Sequence, residues 1–281
     1  MTDDSWLNRY RGETIVVKYG GNAMVDESLS RAFAEDMVTL LGAGLRPVIV
    51  HGGGPQISAE LARQHIPSEF RGGYRYTNTA AIDVVRSVLT AQIGPSLAGA
   101  INEHGSLADP IPAEAGVFLA ARRGVLIDGE PTDLGFVGDV TTVEAGPVSR
   151  VLDAGRIPVI SSIAIEAAAP GTFLNVNADA AAAALALALD ASVLLILTDV
   201  AGLYRDWPNR DSLITRIDTE ELAPLMAGLT SGMIPKMTAC LDAVTGGVGQ
   251  AIIIDGRVEH AIVREPWGTN GTTVVQRKQE K

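Results

Sequence analysis

The fold is decided by the stretch Thr14-Ile15-Val16-Val17-Lys18-Tyr19-Gly20-Gly21, in which an apolar run leads directly into a lysine and two glycines. A second apolar run, Pro47–Val50, is followed by a histidine and three glycines. Neither run alternates apolar with polar residues, which is typical of strands buried on both faces of a sheet. Between them, Asp26–Leu41 carries apolar side chains at helical spacing and ends near two glycines. Together these segments predict a βαβ unit.

Further apolar runs continue this alternation of strand and helix. Three more buried strands are predicted, at Pro158–Ser161, Val193–Thr198 and Ala251–Asp255. Helical spacing predicts helices at Ala80–Asn102, Ala180–Leu189, Glu220–Met226 and Lys236–Val244. The fold class is therefore α/β with a mainly parallel sheet, in which ligands bind beyond the carboxyl ends of the strands. The segment Gly105–Gly138, with a turn predicted at Asp128-Gly129, fits either hairpins or an extended lid over the site.

Composition and charge limit the classes of function. With 281 residues, 47% of them hydrophobic, the chain can bury a large core in one domain or in two lobes that share a sheet. A formal charge of −11 argues against nucleic acid or an anionic membrane as a partner, since both need patches of Lys and Arg. The acidic start lacks an apolar leader and the alanine-rich run ending at Leu189 is too short to span a membrane, so we expect a soluble, cytoplasmic protein. The single cysteine excludes an internal disulfide, and the four histidines show no zinc spacing.

Two lysines stand out because the chain has so few. Of four lysines in total, Lys278 and Lys281 lie in the last four positions, which leaves Lys18 and Lys236, each beside glycine-containing backbone. A compact ammonium next to exposed glycine amides is how proteins surround phosphate oxygens. We therefore expect both lysines at an anion site, the alternative being that an arginine-rich chain keeps two lysines by accident.

Two glycine clusters, Gly20-Gly21 and Gly52-Gly53-Gly54, each follow a predicted strand. Without a Cβ, their main-chain N–H groups allow close approach of an anion. No Gly-x-Gly-x-x-Gly follows the first strand and no Walker A loop occurs, so the phosphate site must be of another kind. Together the clusters fit one oligophosphate, although paired glycines also mark ordinary turns.

Three polar clusters complete the candidate site. Asn175-Val176-Asn177-Ala178-Asp179 opens the alanine-rich helix, where Asp179 either caps the helix or bridges the two lysine ammoniums, and Asn175 is expected to bind substrate. Thr198-Asp199-Val200-Ala201-Gly202 ends a buried strand in a polar turn, which suits nucleotide contacts or a plain exit from the strand. Arg75 offers bidentate donors to a substrate carboxylate, or faces solvent.

These motifs occur together in one order along the chain. The order resembles that of the N-acetylglutamate kinases, a branch of the amino-acid kinase family, and the resemblance runs from Trp6 to Val275. The six motifs that carry it are Lys18-Tyr19-Gly20-Gly21-Asn22-Ala23-Met24, His51-Gly52-Gly53-Gly54-Pro55, Gly73-Tyr74-Arg75-Tyr76-Thr77, Asn175-Val176-Asn177-Ala178-Asp179, Thr198-Asp199-Val200-Ala201-Gly202 and Gly232-Met233-Ile234-Pro235-Lys236.

The resemblance implies both an architecture and a reaction. The architecture is a three-layer α/β/α sandwich with a mainly parallel central sheet, in which residues 1–190 form an acceptor-binding and dimerisation lobe and residues 191–281 a nucleotide-binding lobe. The reaction is ATP-dependent phosphorylation of the side-chain carboxylate of N-acetyl-L-glutamate to an acyl phosphate, a step of arginine biosynthesis. Mg²⁺ would arrive with ATP, without metal ligands from the protein.

The resemblance also implies a role for each matching residue. Lys18, Lys236 and Asp179 would be catalytic, the lysines neutralising the migrating phosphoryl group and Asp179 organising them. The remaining implied contacts fall into three groups: phosphate-binding Gly20, Gly21, Gly52 and Gly53; substrate-binding Gly53, Arg75 and Asn175; and nucleotide-binding Thr198, Asp199, Gly202 and Met233.

Several departures from the family pattern bear on the acceptor and on regulation. Tyr76 replaces a small aliphatic residue, Asn78 replaces an acidic one, and Ser106–Pro112 replaces the customary glycine-containing elements within residues 106–116. These changes leave open a related acylated or free amino acid as acceptor, or a weakly active paralogue that binds a ligand as a regulator. A short segment before Trp6 and a shortened loop with Pro266 lead us to expect a homodimer, rather than a hexamer, with weak or absent arginine inhibition.

Overall fold

The computed structural model describes residues 4–24, 26–127, 129–230 and 232–277. The strands are β1 (Thr14–Tyr19), β2 (Arg46–His51), β3 (Glu69–Arg71), β4 (Tyr74–Tyr76), β5 (Ala108–Ile111), β6 (Phe118–Ile127), β7 (Glu130–Val143), β8 (Ile157–Ser161), β9 (Ile163–Glu166), β10 (Phe173–Val176), β11 (Val193–Thr198), β12 (Leu203–Tyr204), β13 (Leu213–Ile214), β14 (Arg216–Asp218), β15 (Gln250–Asp255) and β16 (Thr272–Val275). The α-helices are α1 (Glu27–Gly42), α2 (Gly54–Arg63), α3 (Thr79–Ser87), α4 (Gly94–Asn102), α5 (Gly146–Asp153), α6 (Ala178–Ala188), α7 (Thr219–Leu225) and α8 (Ile234–Gly246). A π-helical turn spans Val88–Ile93, and short 3₁₀ segments span Asp4–Tyr10, Gly21–Met24, Ala113–Ala115, Arg210–Ser212 and Met226–Gly228.

An eight-stranded sheet in the order β14-β16-β15-β11-β1-β2-β8-β5 forms the centre of the molecule. Neighbouring strands are parallel except at β15–β16. Lys18 in β1 is in register with Val50 of β2 and with Ile196 of β11, so the carboxyl ends of these three strands lie at one edge. This edge is where ligands bind in parallel sheets. The predicted mainly parallel sheet is confirmed.

Successive residues of each central strand point into two different cores, because side chains alternate across a strand. On β1, Val16 packs into one core with helices α6 and α8, whereas Ile15 and Val17 pack into the other with α1 and α4. The buried runs of the sequence therefore fill helical layers on both faces. The three-layer α/β/α sandwich is confirmed.

The predicted elements recur with bounds shifted by one or two residues, except in two regions. The predicted helix Ala80–Asn102 is one helical run, Thr79–Asn102, interrupted by the π-helical turn. By length and composition this run is apolar enough to cross a membrane, but half of its most apolar window is buried inside the protein, as in a core helix.

The second region is the middle segment. Part of it joins the sheet as the edge strand β5, and the rest forms the long β6–β7 hairpin. Strands β6, β7, β9 and β10 close into a small separate barrel. Of the two alternatives, the hairpin is the one observed, and Asp128 of the predicted turn lies outside the described residues.

Candidate active site

Two ammonium groups meet on one buried carboxylate at the carboxyl edge of the sheet. Lys18 Nζ forms an ion pair with Asp179 Oδ1 at 2.9 Å, and Lys236 Nζ donates to Asp179 Oδ2 at 3.1 Å. Lys18 shares the face of β1 that carries Val16 and faces α6, while Asp179 and Lys236 lie in the first turns of α6 and α8, which pack on each other. The lysines are 218 positions apart in the chain, and the sheet brings them together.

Asp179 is available for this bridge because another residue caps α6. The N-cap is Asn177, whose Oδ1 accepts hydrogen bonds from the amides of Asp179 and Ala180 at 2.9 and 3.0 Å. Of the two roles considered for Asp179, the structure therefore shows the bridge between the lysines, whereas Asn177 caps the helix.

Burial and charge act in opposite directions at this cluster. Burial alone would raise the pKa of Asp179, but the ammoniums of Lys18 and Lys236 outweigh it and hold the pKa below its usual range. Burial lowers the pKa of Lys18, an effect that Asp179 opposes and the like charge of Lys236 reinforces. Asp179 thus keeps two cations together that would otherwise repel each other.

Beside the lysines, several glycine amides have no acceptor. Within the described parts of the chain, the N–H groups of Gly20, Gly21 and Gly53 donate no hydrogen bond. A Cβ at Gly20 would lie 3.4 Å from Lys18 Nζ, so glycine leaves room around the ammonium. The Gly52 amide is not free, because it donates to Tyr19 O at 3.0 Å. Gly52 could therefore allow a phosphate to come close to its backbone, but it cannot donate to that phosphate. These free donors, together with the uncapped start of α2 at Gly53, are groups that an anion could accept from.

Arg75, on β4, is buried and faces the start of α2 rather than solvent. Its guanidinium donates to Ser58 Oγ at 2.7 Å, to Gly54 O at 3.3 Å and to Ser68 Oγ, and lies 4.8 Å from the ring centroid of Phe70. It has no carboxylate partner anywhere in the described ranges. Burial lowers its pKa. A buried guanidinium with neutral partners only is suited to bind an anionic group.

Asn175 lies close to Arg75 through the buried Thr77. Asn175 Nδ2 is 3.5 Å from Thr77 Oγ1, and that hydroxyl donates to Arg75 O at 2.9 Å. The two predicted acceptor-binding residues, from β4 and β10, are therefore brought together by the fold.

The predicted nucleotide contacts divide between two places. Gly202 and Met233 line a cleft of about 510 Å³ whose wall also contains Tyr204 and Trp207, with ring centroids 5.1 Å apart. Thr198 and Asp199 lie instead at the end of β11. Burial lowers the pKa of Lys18, and the charge of Asp199 is near enough to oppose that lowering weakly. The start of α8 contributes to both places, since Met233 before its first turn lines the cleft and Lys236 in that turn belongs to the lysine cluster.

Four residues of this region had no role predicted from the sequence, although Thr77 stands in one of the six motifs. Ser58 and Ser68 hold Arg75, Thr77 joins it to Asn175, and Trp207 forms part of the cleft. Ser58 follows the glycine cluster at helical spacing, a weak signal that it faces the same site. Ser68 and Trp207 carry no such signal, because their positions depend on loop conformation.

The departures at Tyr76 and Asn78 have local explanations. Asn78 caps α3 by accepting from the Ala81 amide at 2.9 Å, a task that an acidic side chain also performs. The ring of Tyr76 lies under the guanidinium of Arg71 at 3.8 Å. Both side chains are thus engaged in local structure.

Known proteins of similar sequence identify the family of this chain. Residues 13–255 match the amino acid kinase family. A protein named acetylglutamate kinase from Kineococcus radiotolerans is 58% identical over 278 residues, 96% of this chain and 93% of that protein. One of the same name from Leifsonia xyli subsp. xyli is 61% identical over 267 residues, 95% of this chain and 88% of that protein.

Solved structures of lower identity share the fold. An N-acetylglutamate synthase from Neisseria gonorrhoeae, complexed with coenzyme A and N-acetyl-glutamate, superposes with a TM-score of 0.84 at 22% identity over 98% of this chain, which spans 62% of the synthase chain. A carbamate kinase from Giardia lamblia bound to AMP-PNP gives a TM-score of 0.71 at 18% identity, over 95% of this chain and 99% of the other. The matched sequence and the shared architecture lead to one conclusion: this chain belongs to the amino acid kinase family, in the branch whose members are named acetylglutamate kinase.

Proposed function

We propose that the chain is a kinase that transfers the γ-phosphoryl group of ATP to the side-chain carboxylate of N-acetyl-L-glutamate, forming an acyl phosphate in arginine biosynthesis. The observation that carries the proposal is the pair of ammoniums on Asp179, at 2.9 and 3.1 Å, beside free glycine amides. The substrate identity is supported by the relatives named acetylglutamate kinase, 58% and 61% identical over nearly the whole chain.

The reaction fits what these residues can do. A carboxylate oxygen of the acceptor attacks the γ-phosphorus while the bond to the bridging oxygen breaks and its electron pair leaves with ADP. Lys18, Lys236 and the amides of Gly20, Gly21 and Gly53 stabilise the charge on the migrating group, and phosphoryl transfer depends mainly on such alignment and charge stabilisation. No general base is required, because a carboxylate is already ionised at neutral pH.

The acceptor is held by the buried guanidinium of Arg75, which lacks a carboxylate of its own within the described residues, and by Asn175. In this proposal Arg75 takes the α-carboxylate and Gly53 approaches the acceptor with its backbone. The 510 Å³ cleft at Gly202 and Met233 takes the nucleoside, with Tyr204 and Trp207 available for stacking on the base.

Mg²⁺ enters this proposal as part of the nucleotide substrate. Across the described ranges, no group of three or more His, Cys, Asp and Glu side chains is placed to hold a metal ion. In the proposal, the phosphate oxygens of ATP supply most ligands of the ion. The protein would contribute the two lysines and the amides.

The lobes and the assembly are part of the same proposal. Residues 1–190 would bind the acceptor and dimerise, residues 191–281 would bind the nucleotide, and the protein would work as a cytoplasmic homodimer with no nucleic-acid or membrane partner. We propose weak or absent arginine inhibition, since the loop that contains Pro266 is shorter than is usual in the family, and its Trp267 packs against Trp6 and Tyr10. Sedimentation velocity tests this: a dimer unchanged by arginine is expected, and an arginine-responsive hexamer would contradict it.

The test of the acceptor uses hydroxylamine to trap acyl phosphate formed from ATP. The panel is N-acetyl-L-glutamate, glutamate, N-acetylaspartate, N-acetyl-aminoadipate and aspartate. Product with N-acetyl-L-glutamate alone supports the proposal. Product with another member favours the same transfer to a related acylated or free amino acid, for which Tyr76 beside the acceptor motif is the motivating observation. No product with any member favours a ligand-binding paralogue, which retained ATP binding would then support.

A further inference from the structure

His51 is the last residue of β2 and directly precedes the glycine cluster. Its side chain has no exposed surface, and its ring Nδ1 lies 3.1 Å from the carbonyl oxygen of Gly52. A carbonyl oxygen only accepts hydrogen bonds, so Nδ1 carries the proton and donates. Burial lowers the pKa of His51 to about 4, which keeps the ring neutral at the pH of metabolism. Its other nitrogen, Nε2, is buried and has no hydrogen-bond partner among the residues that the structure describes.

The contact with Gly52 O has a consequence for the next amide. A peptide group is planar and trans, so its C=O and N–H point in opposite directions. When the Gly52 carbonyl is turned toward the buried ring, the Gly53 N–H is turned away from it. That N–H is one of the amides without an acceptor in the described chain. Because glycine backbones adopt many conformations, the Gly52–Gly53 peptide needs a constraint from outside if its direction is to be fixed.

The π-helical turn Val88–Ile93 and Gly94 after it lie beside the ring and the glycine loop. A Cβ at Gly94 would lie 3.2 Å from His51 Nε2, and a Cβ at Gly53 would lie 2.5 Å from Ile93 Cδ1 and 2.9 Å from Leu89 Cδ2. The imidazole and the glycine loop therefore share one helical neighbour. Single π-helical turns inside α-helices occur frequently at functional sites.

We propose that His51 is a positioning residue for phosphoryl transfer, whose neutral imidazole anchors the Gly52 carbonyl and thereby aims the Gly53 amide at the migrating phosphoryl group. This inference rests on the proposed function. Burying Nε2 without a partner is unfavourable, and an apolar side chain would fill the same space without that penalty. A histidine here is thus better explained by what Nδ1 does than by packing.

The test compares His51→Asn with His51→Leu in the full-length protein. The two replacements are similar in size, but only Asn offers an N–H near the position of Nδ1. Losing one donor to the developing charge slows catalysis by about 100- to 1000-fold, and a misaligned donor should slow it by roughly 10- to 100-fold. We expect that decrease in kcat for the Leu variant, with KM for the acceptor nearly unchanged. The Asn variant should have a kcat close to that of the unmodified protein.

Stability separates positioning from a merely structural role. Leu removes a buried unpaired nitrogen but also leaves the Gly52 carbonyl without its donor, so the two effects on stability oppose each other. The Leu variant should therefore unfold within a few degrees of the unmodified protein, while turning over more slowly. Equal kcat for the Leu variant and the unmodified protein would overturn the proposal, and so would an Asn variant as slow as Leu. An unmodified protein that forms no acyl phosphate with any acceptor would overturn the proposed function and this inference with it.

A second pair of variants serves if substitutions at His51 prevent folding. Gly94→Ala places a methyl group against Nε2, whereas Gly99→Ala, in the same helix α4, meets nothing within 4 Å. We expect a several-fold lower kcat for Gly94→Ala and an unchanged kcat for Gly99→Ala. Full activity of both would overturn the proposal.

Discussion

At the scale of single residues, the centre of the candidate site is one carboxylate that is shared by two ammoniums. Two like charges a few ångströms apart repel each other, and removal from water makes each of them more costly. Asp179 offsets both effects with contacts of 2.9 and 3.1 Å. With a substrate phosphate present, the same two cations would face its oxygens. Two ammoniums on one carboxylate leave one positive charge in excess, which in the proposed function attracts the phosphate.

Lys18 and Lys236 are each expected to stabilise charge in the transition state. Replacing either with Met should lower kcat by about 100- to 1000-fold, the usual effect of removing one such group. The measurement is the rate of acyl-phosphate formation at saturating ATP and acceptor. Arg46→Met is the control and should retain full activity, since Arg46 begins β2, at the opposite end of the strand from the glycine cluster, and is paired with Asp153 at 2.8 Å. Unchanged turnover in either lysine variant would contradict the assigned role.

Asp179 is expected to matter for stability as well as for activity. Asp179→Asn leaves two ammoniums without their counter-ion, and breaking a buried pair costs about 3 to 5 kcal/mol. Urea unfolding should show this loss of stability, and adding Lys18→Met to the Asp179→Asn variant should restore part of it.

The stability that Asp179 provides should also depend on pH. Since folding lowers the pKa of Asp179, its contribution to the unfolding free energy is full above the unfolded pKa of about 3.9 and is lost as the pH falls through the lower folded value. If the difference in unfolding free energy between Asp179→Asn and the unmodified protein stayed the same in acid, the lowered pKa of Asp179 would be contradicted.

Residue types alone indicated part of this site and not the rest. The rarity of lysine and the adjoining glycines predicted the anion site, because few other roles need that combination. Whether Asp179 caps its helix or bridges the lysines required the structure, since the choice depends on Asn177 occupying the cap. The serines that hold Arg75 are common residues in irregular surroundings and carried too little information.

At the scale of elements, the start of α2 depends on its fit against the π-helical turn. Gly53→Ala would place a methyl group 2.5 Å from Ile93 Cδ1 and 2.9 Å from Leu89 Cδ2, both in the buried core. Overpacking of this kind destabilises by about 1 to 3 kcal/mol, and it should also displace the glycine loop and lower kcat. Gly54→Ala is the matched control, because nothing lies within 4 Å of its Cβ. Equal stability and activity of the two variants in urea unfolding and turnover assays would contradict this account.

Periodicity predicted the strands and most helices because buried runs and helical stripes are local in the sequence. It missed the π-helical turn, since Val88–Ile93 has the same apolar pattern as an uninterrupted α-helix. It also left the middle segment undecided between hairpin and lid. The pairing of β6 with β7 depends on contacts across the turn rather than on composition.

At the scale of the whole molecule, the first and second halves of the chain meet along one sheet. β1 from the first half pairs with β11 from the second, and Lys18 of β1 meets Lys236 of α8 on the carboxylate of Asp179. A second connection lies on the other face, where Asp36 of α1 accepts from His260 Nδ1 at 2.8 Å and from the Ile262 amide at 3.2 Å. Both the site and this connection therefore require the halves to stay together.

The connection through Asp36 should make stability depend on pH. Burial raises the pKa of Asp36 to about 6, although His260 opposes the rise and the neighbouring Glu35 adds to it. An acid whose pKa is higher in the folded state stabilises fully below its unfolded pKa of about 3.9, and this contribution is lost as the pH rises through 6. Relative to Asp36→Asn, the unmodified protein should lose on the order of 2 to 3 kcal/mol of unfolding free energy between pH 4 and pH 7. If the difference in unfolding free energy between the unmodified protein and Asp36→Asn did not change with pH, the raised pKa of Asp36 would be contradicted.

The most direct test of the central claim follows a single oxygen atom. N-acetyl-L-glutamate labelled with ¹⁸O in its side-chain carboxylate is mixed with ATP, Mg²⁺ and the protein, and the product is observed by ³¹P NMR. If a carboxylate oxygen attacks the γ-phosphorus between the two lysines, the acyl phosphate carries ¹⁸O bonded to phosphorus, and Lys18→Met forms it far more slowly. Release of ADP with unlabelled inorganic phosphate alone, at a rate indifferent to Lys18, would contradict the account.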